Sequence, residues 1–593
     1  MALRSVWRPG KDEVVARNGI VAAMHPLAAE AGLEILRQGG NAIDAAVATG
    51  FAISVVEPAN TSIGGVGFML IHLASGVGDY PPGTDLVIEY GPRAPRAARP
   101  DMYEVTGPGT GISTYAVKDD HNTEGYRSIA LPGTTGGLCL AHKLLGRLPL
   151  EQVMEPAIHL AQEGFEVYWV HSLWVATNME ALQRFPGARK VFLPNGFPPK
   201  YVPDPSSSDA AAHVLVQRDL ADLLKRIARD GAPALYEGEV AAAIEEDMKR
   251  NGGLITARDL ADFRPEVKNP LRTTYREFEV MAPTAPSGSW TTLETLNILE
   301  NFDLKSMGHN SAEELHIFVE AARHAFADRY GYMGDPDFVD VPLNGLLSRE
   351  YAREVAEQVD TGRAVMENSI DIAPWAHYET NPVHDPWRFE GRPAPDQPLS
   401  PSGTTEGDCT THFGVVDGDG SLISCTQTAV SAFGSKVVTD GLGFVWNNGM
   451  IWFNAKPGAA NSIAPWKRPL VNMAPVLVTR DGKSYLSVGS PGGRKVNNGN
   501  TNVTLNVLEF GMGPQEAITV PRADASGPTT LLDARLDQDT VEELRRMGHK
   551  VEVVDDLAGW YSFAKPSAIL VDSEKGIFYG GSDPWPVADA RGI

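Results

Sequence analysis

The sequence predicts a layered α/β sandwich, because hairpin patterns fill its second half and helical patterns its first. Three stretches place turn residues between strand-forming residues: 411–428, 474–488 and 569–579. Their turns contain Asp417-Gly418-Asp419-Gly420, Arg480-Asp481-Gly482-Lys483 and Glu574-Lys575-Gly576. Glycines that accept positive φ, flanked by β-branched residues, are typical of antiparallel strand pairs. Strands in one part of a chain and helices in another suit sheets covered by helices.

Two helices are predicted near the N-terminus. Pro26 to Gln38 repeats apolar residues at helical spacing, and two glycines end it. Asn41 is suited to cap a second helix, from Ala42 to about Val55, which is apolar on nearly every face and therefore expected to be buried. Residues 210–330 are predicted to be mostly helical.

Composition excludes several classes of protein. The 593 residues are 43 % hydrophobic and carry a net charge of −24, which argues against binding to nucleic acid or an anionic membrane. Three cysteines form no disulfide framework. Residues 64–67 are glycine-rich but lack the Lys-Ser/Thr of a phosphate loop, so we interpret them as close backbone packing. We expect no cofactor and no metal.

No apolar run in the sequence reaches the roughly 18 residues that a membrane helix needs. The first residues also lack an apolar run fit for a signal peptide. We therefore expect a cytoplasmic protein.

Thr410 stands where a proline-rich stretch, 373–408, meets a predicted strand. If the bond before it were cut, Thr410 would carry a hydroxyl nucleophile and a free α-amine on one residue. Cys409 is an alternative nucleophile, since a thiolate is intrinsically more reactive. The simpler interpretation is an ordinary interdomain linker that enters a hairpin.

Several motifs together resemble the γ-glutamyltransferase (γ-glutamyltranspeptidase) family. The segment TTHFGVVDGDGSLISCTQT, which starts at Thr410, matches the family's cleavage region. Further matches, in the family's order, are GGNAIDAA at 39–46, Glu57-Pro58, GGVGF at 64–68, KRPL at 467–470 and GSPGG at 489–493. The likeness covers nearly the whole chain.

This resemblance implies a four-layer αββα sandwich of the N-terminal nucleophile hydrolases, built from both fragments of a self-cleaved proenzyme. The cut would fall between Cys409 and Thr410. It would leave a large subunit, 1–409, whose residues 373–409 are a flexible linker, and a small catalytic subunit, 410–593. The two fragments would pair with each other, and the pair could assemble further into a higher oligomer.

The resemblance also assigns catalytic roles. Thr410 would be the nucleophile, Thr428 would hydrogen-bond it, and Gly492 and Gly493 would form the oxyanion hole. From the residues alone, Thr428 is an ordinary strand threonine and the glycines are a strand-to-turn pair. His412 is expected to pack beside the nucleophile rather than act as its base.

The chain departs from the family where the family holds the glutamate head group. Gly91 stands in place of an arginine, Val430 in place of an asparagine, and Trp452 in place of an aspartate. Gly449 replaces a glutamine, and Val471 and Asn472 replace two serines. Loss of a forked guanidinium–carboxylate contact should remove most discrimination for an amino acid head group. The candidate substrate contacts are Arg93, Asn447, Gly449, Trp452, Val471 and Asn472, with Arg96 and Arg494 as further candidates to reach a displaced carboxylate.

The sequence therefore predicts a self-processing amidohydrolase or acyltransferase that forms an acyl-threonine ester and passes it to water or an amine. Its substrate is expected to be a small amide without the γ-glutamyl head, as in relatives that look like cephalosporin acylases or oxamate amidohydrolases. One alternative is an authentic γ-glutamyltransferase or glutathione hydrolase with a rebuilt clamp, in which a different set of residues holds the glutamate head group. Another is an inactive family member that acts as a binding protein.

Overall fold

The computed structural model describes residues 10–108, 115–202, 213–365, 385–394, 409–556, 562–585 and 587–593. Its helices are α1 Pro26–Arg37, α2 Ala42–Val56, α3 Thr134–Leu145, α4 Leu150–Glu163, α5 Trp169–Thr177, α6 Met179–Arg184, α7 Pro186–Phe192, α8 Arg218–Asp230, α9 Pro233–Tyr236, α10 Gly238–Asn251, α11 Ala257–Asp262, α12 Trp290–Leu299, α13 Leu304–Met307, α14 Ala312–Tyr332, α15 Leu343–Leu346, α16 Arg349–Ala356, α17 Lys495–Leu508, α18 Pro514–Thr519 and α19 Gln538–Arg546.

The strands alternate with these helices along the chain. They are β1 Val14–Ala16, β2 Gly19–Ala23, β3 Val66–Leu73, β4 Thr84–Tyr90, β5 Val105–Pro108, β6 Tyr115–Val117, β7 Phe165–Glu166, β8 Val214–Leu215, β9 Glu266–Lys268, β10 Leu271–Tyr275, β11 Phe278–Ala282, β12 Cys409–Asp417, β13 Leu422–Val430, β14 Val476–Arg480, β15 Lys483–Gly489, β16 Ala523–Asp524, β17 Thr530–Asp533, β18 Val551–Val554, β19 Ser567–Asp572, β20 Ile577–Ser582 and β21 Asp589–Gly592.

Two seven-stranded antiparallel sheets form the centre of the molecule. Sheet I has the order β21-β2-β12-β13-β3-β4-β9, and sheet II has the order β1-β20-β19-β15-β14-β11-β10. The three predicted hairpins are confirmed as β12–β13, β14–β15 and β19–β20. Each sheet combines strands from before and after residue 410.

The two sheets face each other and are covered by helices on their outer sides. Side-chain hydroxyls join the inner faces: Ser424 donates to the carbonyl of Val488 (3.1 Å), and Ser487 donates to that of Ile423 (3.0 Å). Helices α1, α2 and α3 pack on sheet I, and α12, α17 and α18 pack on sheet II. The predicted αββα sandwich is confirmed.

The two predicted N-terminal helices are also present, and the second lies inside the molecule. The Asn41 Oδ1 accepts hydrogen bonds from the amides of Ile43 (3.1 Å) and Asp44 (3.0 Å) at the start of α2. Asp44 Oδ2 accepts one from the Asn41 amide in return, which completes a capping box. Every residue of α2 is buried, as its all-round apolar pattern predicts.

The prediction of a mostly helical region 210–330 is wrong for residues 266–282. These residues form β9 at the edge of sheet I and the hairpin β10–β11 at the edge of sheet II. The β-branched and aromatic residues of this segment favour strand, and Arg276 takes a positive φ of 53° in the tight turn.

The predicted flexible linker, 373–409, lies mostly outside the described residues. Its described part includes a 3-10 turn, Pro386–Phe389, in which Trp387 is buried. Across the described ranges, no helix is both long enough and apolar enough to cross a bilayer.

Candidate active site

Thr410 lies at a β-bulge between β12 and β13. Cys409 pairs with Val430 and Thr411 pairs with Gln427, so Thr428 and Ala429 together oppose the single residue Thr410. Bulges of this kind re-aim side chains and are common beside active sites. Here the bulge brings the hydroxyls of Thr410 and Thr428 to the same point.

Both hydroxyls lie beside the carbonyl of the predicted cleavage bond. Thr410 Oγ1 is 2.8 Å from the carbonyl oxygen of Cys409, and Thr428 Oγ1 is 2.5 Å from the same oxygen. The two hydroxyl oxygens are 3.3 Å apart. The Val430 amide donates to Thr428 Oγ1 (2.8 Å), which leaves the Thr428 proton free to point at the Cys409 carbonyl. Thr410 and Thr428 are both buried.

The chain that leaves β13 is held in an unusual backbone conformation. Val430 has φ of 87°, and Phe433, Gly434 and Lys436 also have positive φ, of 55°, 49° and 65°. A β-branched residue with positive φ is strained, and such strain concentrates at functional sites. The family's asparagine at the Val430 position would tolerate this conformation more easily.

Glu57 is a buried carboxylic acid that contacts Thr411, the neighbour of the predicted nucleophile. Thr411 donates to its Oε2 (2.7 Å) and Asn60 donates to its Oε1 (3.2 Å). Burial raises the pKa of Glu57 to about 7, although both hydrogen bonds oppose the shift. The Glu57-Pro58 motif was visible in the sequence, but nothing in the sequence places its carboxyl beside Thr411.

His412 lies within the sandwich and is not placed as a base. Burial lowers the pKa of His412 to about 3, so the imidazole is neutral, and its Nδ1 lies 2.9 Å from Thr426 Oγ1. A Cβ at Gly489, the last residue of β15, would overlap the His412 ring. The strand that leads to the Gly492-Gly493 pair therefore crosses directly against β12.

The predicted oxyanion glycines follow β15 and precede α17. Gly492 has φ of 140° and Gly493 has φ of 59°, conformations that favour glycine. A Cβ at Gly492 would lie only 2.8 Å from the Cα of Ala564, so this position also has no room for a side chain. The positive φ values and the contact with Ala564 explain why this turn needs glycine, independently of any role in catalysis.

The glycines of 64–67 pack against the same site, as predicted. A Cβ at Gly65 would lie 2.6 Å from the carbonyl oxygen of Thr428, and one at Gly64 would lie 2.5 Å from the Phe444 ring. Their close approach supports the end of β13.

Three of the departures from the family lie in one apolar cluster between the sheets. Val430, Trp452 and Val471 belong to this cluster and are nearly inaccessible to solvent. The indole Nε1 of Trp452 has no hydrogen-bond partner among the described residues. An ammonium group would find no carboxylate from these three side chains.

The other predicted substrate contacts are engaged with protein groups. Arg93 pairs with Glu266 and donates to the carbonyl of Trp466 (3.3 Å). Asn447 uses its whole amide on backbone: its Oδ1 accepts from the amides of Ala130 and Gly449, and its Nδ2 donates to the carbonyls of Gly64 and Ala130. A Cβ at Gly449 would lie 2.9 Å from that of Ala130. Asn447 and Gly449 thus hold the loops of the site together.

Arg96 is also committed to protein groups. Its guanidinium lies 3.7 Å from the centre of the Trp466 ring and forms a salt bridge with Asp259. Arg494 is nearly buried, as is the start of α17 that follows it.

Arg329 is a residue of the site region that sequence reasoning missed. It is completely buried on α14 and donates to the carbonyl of Gly288 (3.0 Å) and to Asn472 Oδ1 (2.5 Å). Burial lowers the pKa of Arg329 to about 10, and its guanidinium donates to two backbone carbonyls, a threonine hydroxyl and an amide oxygen. It fixes Asn472, one of the two residues that replace the family's serines. An arginine in a long helix carries no sequence signal of such a contact.

Comparison with known proteins identifies the family. A family model described as gamma-glutamyltranspeptidase matches residues 28–593. The chain belongs to the gamma-glutamyltranspeptidase family. It is 33 % identical to a glutathione hydrolase proenzyme of Escherichia coli over 97 % of this chain and 92 % of that protein. It is 36 % identical to an acylase ACY 1 proenzyme of a Pseudomonas species over 91 % of this chain and 88 % of that one.

A solved structure supports the same assignment. The cephalosporin acylase of Bacillus halodurans superposes with a TM-score of 0.82 at 27 % identity, and the match covers 100 % of this chain and 99 % of that one. As a gamma-glutamyltranspeptidase family member, this protein is a self-processing amidohydrolase or acyltransferase of the N-terminal nucleophile type. The family resemblance inferred from the sequence is confirmed.

Proposed function

We propose that this protein cuts its own chain between Cys409 and Thr410, and that the released Thr410 then hydrolyses or transfers the acyl group of a small amide that lacks a γ-glutamyl head. The observation that carries this proposal is the contact of two threonine hydroxyls, from Thr410 and Thr428, with one carbonyl oxygen, that of Cys409.

Self-cleavage follows from that contact. Thr410 Oγ1 attacks the carbonyl carbon of Cys409, while the Thr428 hydroxyl donates to the oxygen as negative charge develops on it. The bond from this carbon to the Thr410 nitrogen breaks, an ester to Thr410 Oγ1 forms, and the nitrogen gains the proton that the hydroxyl loses. Water then hydrolyses the ester, which releases the carboxylate of Cys409 and restores the Thr410 hydroxyl beside the amine that is already free.

Turnover uses the same atoms after the cut. The free α-amine, whose reference pKa is roughly 7.7–8.0, accepts the hydroxyl proton of Thr410. The hydroxyl oxygen attacks the substrate amide, the acyl group passes to Thr410 as an ester, and the leaving amine takes the proton. Water or a second amine then attacks the ester and releases the acyl group.

Gly492 and Gly493 supply the oxyanion donors in this proposal. What supports the assignment is their position after β15, whose last residue lies against the ring of His412, two residues from Thr410. Their positive φ values allow successive amides to point toward one anion.

The acyl side of the substrate is proposed to be apolar or neutral near Val430, Trp452 and Val471. These residues replace polar groups of the family and belong to one buried apolar cluster. An α-ammonium placed there without a partner would cost roughly 1–3 kcal/mol.

Cytoplasmic location stays a prediction of the sequence alone.

Glutathione hydrolysis is the second candidate function. It is favoured by the Escherichia coli relative, whose name is glutathione hydrolase proenzyme and which matches almost the full length of this chain. Under this alternative, the glutamate head group would be held by residues other than those that the family uses to bind it.

The decisive experiment for the cut is intact-mass analysis of purified protein. Wild type should separate into two fragments under denaturing conditions, the smaller beginning Thr-Thr-His-Phe. Thr410→Ala should stay whole and inactive, while Thr410→Ser should still cut. An active wild-type preparation without the new terminus would contradict the proposal, as would fragments from Thr410→Ala.

A double variant tests the proposed substrate class. Gly91→Arg with Trp452→Asp should raise turnover of a chromogenic γ-glutamyl anilide by about tenfold or more, because it restores partners for a carboxylate and an ammonium. A Cβ at position 91 would meet only the Phe68 ring, at 3.3 Å, so this ring must move by a few tenths of an ångström to admit the arginine. Trp452→Asp alone is the control. High anilide turnover by wild type would favour the glutathione hydrolase alternative instead.

A further inference from the structure

Three buried side chains meet away from Thr410. They are His316 and Glu320 on α14, and His549 in the loop between α19 and β18. One ligating atom from each lies within 4.8 Å of those of the other two. His549 is far from α14 in sequence, so motif spacing could not reveal this group.

The hydrogen bonds of His316 prepare one of its nitrogens to bind a cation. Its Nε2 lies 2.8 Å from the carbonyl oxygen of Asp360, a group that only accepts, so Nε2 carries the proton. The lone pair of Nδ1 therefore points at His549 Nε2, 2.7 Å away. An imidazole whose second nitrogen donates to a backbone carbonyl is the usual arrangement of a metal-bound histidine.

Glu320 and His549 complete a mixed donor set. Glu320 lies one helical turn after His316, so both side chains project from the same face of α14. The amide of Val365 donates to Glu320 Oε2 (3.0 Å), which orients the carboxylate. Two imidazoles and one carboxylate are donors that zinc accepts, with a fourth position left for water.

The two imidazole nitrogens require only a small adjustment of their spacing. Two nitrogens bound at about 2.05 Å to a tetrahedral zinc are about 3.3 Å apart. The His316 and His549 nitrogens would therefore separate by roughly half an ångström as the ion replaces their hydrogen bond.

We propose that His316, Glu320 and His549 form a binding site for one divalent transition-metal ion of the zinc type. The site has a structural role, since it is buried and lies apart from the Thr410 hydroxyls. His316 and Glu320 precede residue 410 and His549 follows it. If the chain is cut as proposed above, the ion links the two fragments.

The nearby chain supports this linking role. His316 Nε2 contacts the Asp360 carbonyl, the Val365 amide contacts Glu320, and the Ala364 amide donates to the carbonyl of Met547 (2.7 Å). The segment 360–365 therefore wraps around the three ligands and joins α14 to the loop that carries His549.

The test is zinc binding by protein produced without a polyhistidine tag. After removal of metal with EDTA, the full-length protein is mixed with zinc chloride, passed through gel filtration and analysed by mass spectrometry for elements. We expect one zinc per chain and a higher midpoint of thermal unfolding in zinc than in EDTA. Cobalt(II) in place of zinc should give the visible absorption of a tetrahedral site.

Variants assign the zinc to this site. His549→Ala and Glu320→Gln should each weaken zinc binding at least about tenfold and abolish the thermal shift. His309→Ala is the matched control, because His309 also contacts a residue beyond 410, Asn506 at 3.1 Å, without belonging to the cluster. That control should bind zinc like wild type.

Two results would overturn the proposal: wild type that retains no more zinc than His549→Ala, or a zinc-bound wild type whose thermal shift persists in both ligand variants. The Thr410→Ala protein separates this question from self-cleavage. It should bind one zinc even though its chain stays whole, so failure of the cut and failure of the metal site are distinguishable.

Discussion

Glu57 is a single buried residue whose protonation is coupled to folding close to the proposed nucleophile, Thr410. It accepts a hydrogen bond from Thr411, the neighbour of Thr410, in surroundings that raise its pKa to about 7. The folded protein therefore holds this acid in its neutral form under mildly acidic conditions. An unfolded chain releases the same proton above its ordinary pKa of 4.5.

This difference predicts a pH-dependent stability. Glu57 favours the folded state most below pH 4.5, and that contribution disappears as the pH rises to about 7, with a total of about 3 kcal/mol. Glu57→Gln should remove this contribution to the pH dependence of the free energy of unfolding. Between pH 5 and pH 8, the variant should therefore lose less stability than the parent protein with Glu57. Urea unfolding of both proteins in the uncut Thr410→Ala background measures it.

An exposed glutamate supplies the comparison for that experiment. Glu246→Gln on α10 makes the same substitution at the surface, where the side chain is 75 % exposed and pairs with Arg250. If the free energy of unfolding changed equally with pH in Glu57→Gln and its parent, Glu57 would be ionised in the folded protein.

At the scale of one element, the bulge in β13 decides which threonine reaches the cleavage bond. Thr426 and Thr428 lie two residues apart on the same strand, yet Thr426 contacts His412 and Thr428 contacts the Cys409 carbonyl. Only the second hydroxyl can donate to the oxygen on which charge develops during self-cleavage.

Thr428→Val keeps the shape of the side chain and removes this donor. Self-cleavage should slow by about 10²–10³-fold, the typical effect of losing one oxyanion donor. Thr426→Val should cut at nearly the wild-type rate. The rates come from the disappearance of the uncut chain after refolding, and Thr428→Ser should restore the reaction.

The elements also show how far the sequence could predict this protein. The hairpins and the capped helix α2 follow from local pattern, because their turn and cap residues lie next to the segments they organise. The strands β9–β11 were missed, since they complete the sheets through partners distant in sequence. For the same reason, the motifs located Thr410 and Thr428, but not the buried contacts of Glu57 or Arg329.

At the scale of the whole molecule, each sheet pairs strands from before residue 410 with strands from after it. β12 lies between β2 and β13, β3 pairs with β13, and β11 pairs with β14. A cut before Thr410 divides β12 after its first residue, Cys409, but the pairs β2–β12, β3–β13 and β11–β14 all lie outside the cut and stay in place.

The cut protein should consequently behave as one particle. Gel filtration without denaturant should give a mass of at least 63.9 kDa, while denaturing electrophoresis should give two bands. The fragments should separate in urea only as the circular dichroism of the fold is lost. Release of either fragment from folded protein would contradict this sheet arrangement.

The pairing of β1 with β20 and of β2 with β21 also bears on the order of events during translation. A ribosome makes the first two strands long before the partners that flank them, so neither sheet can close on a nascent chain. If the proposed attack at Cys409 requires both sheets, translation products that lack β20 and β21 should remain uncut. Under this proposal, a cut chain indicates that β20 and β21 have been synthesised and paired.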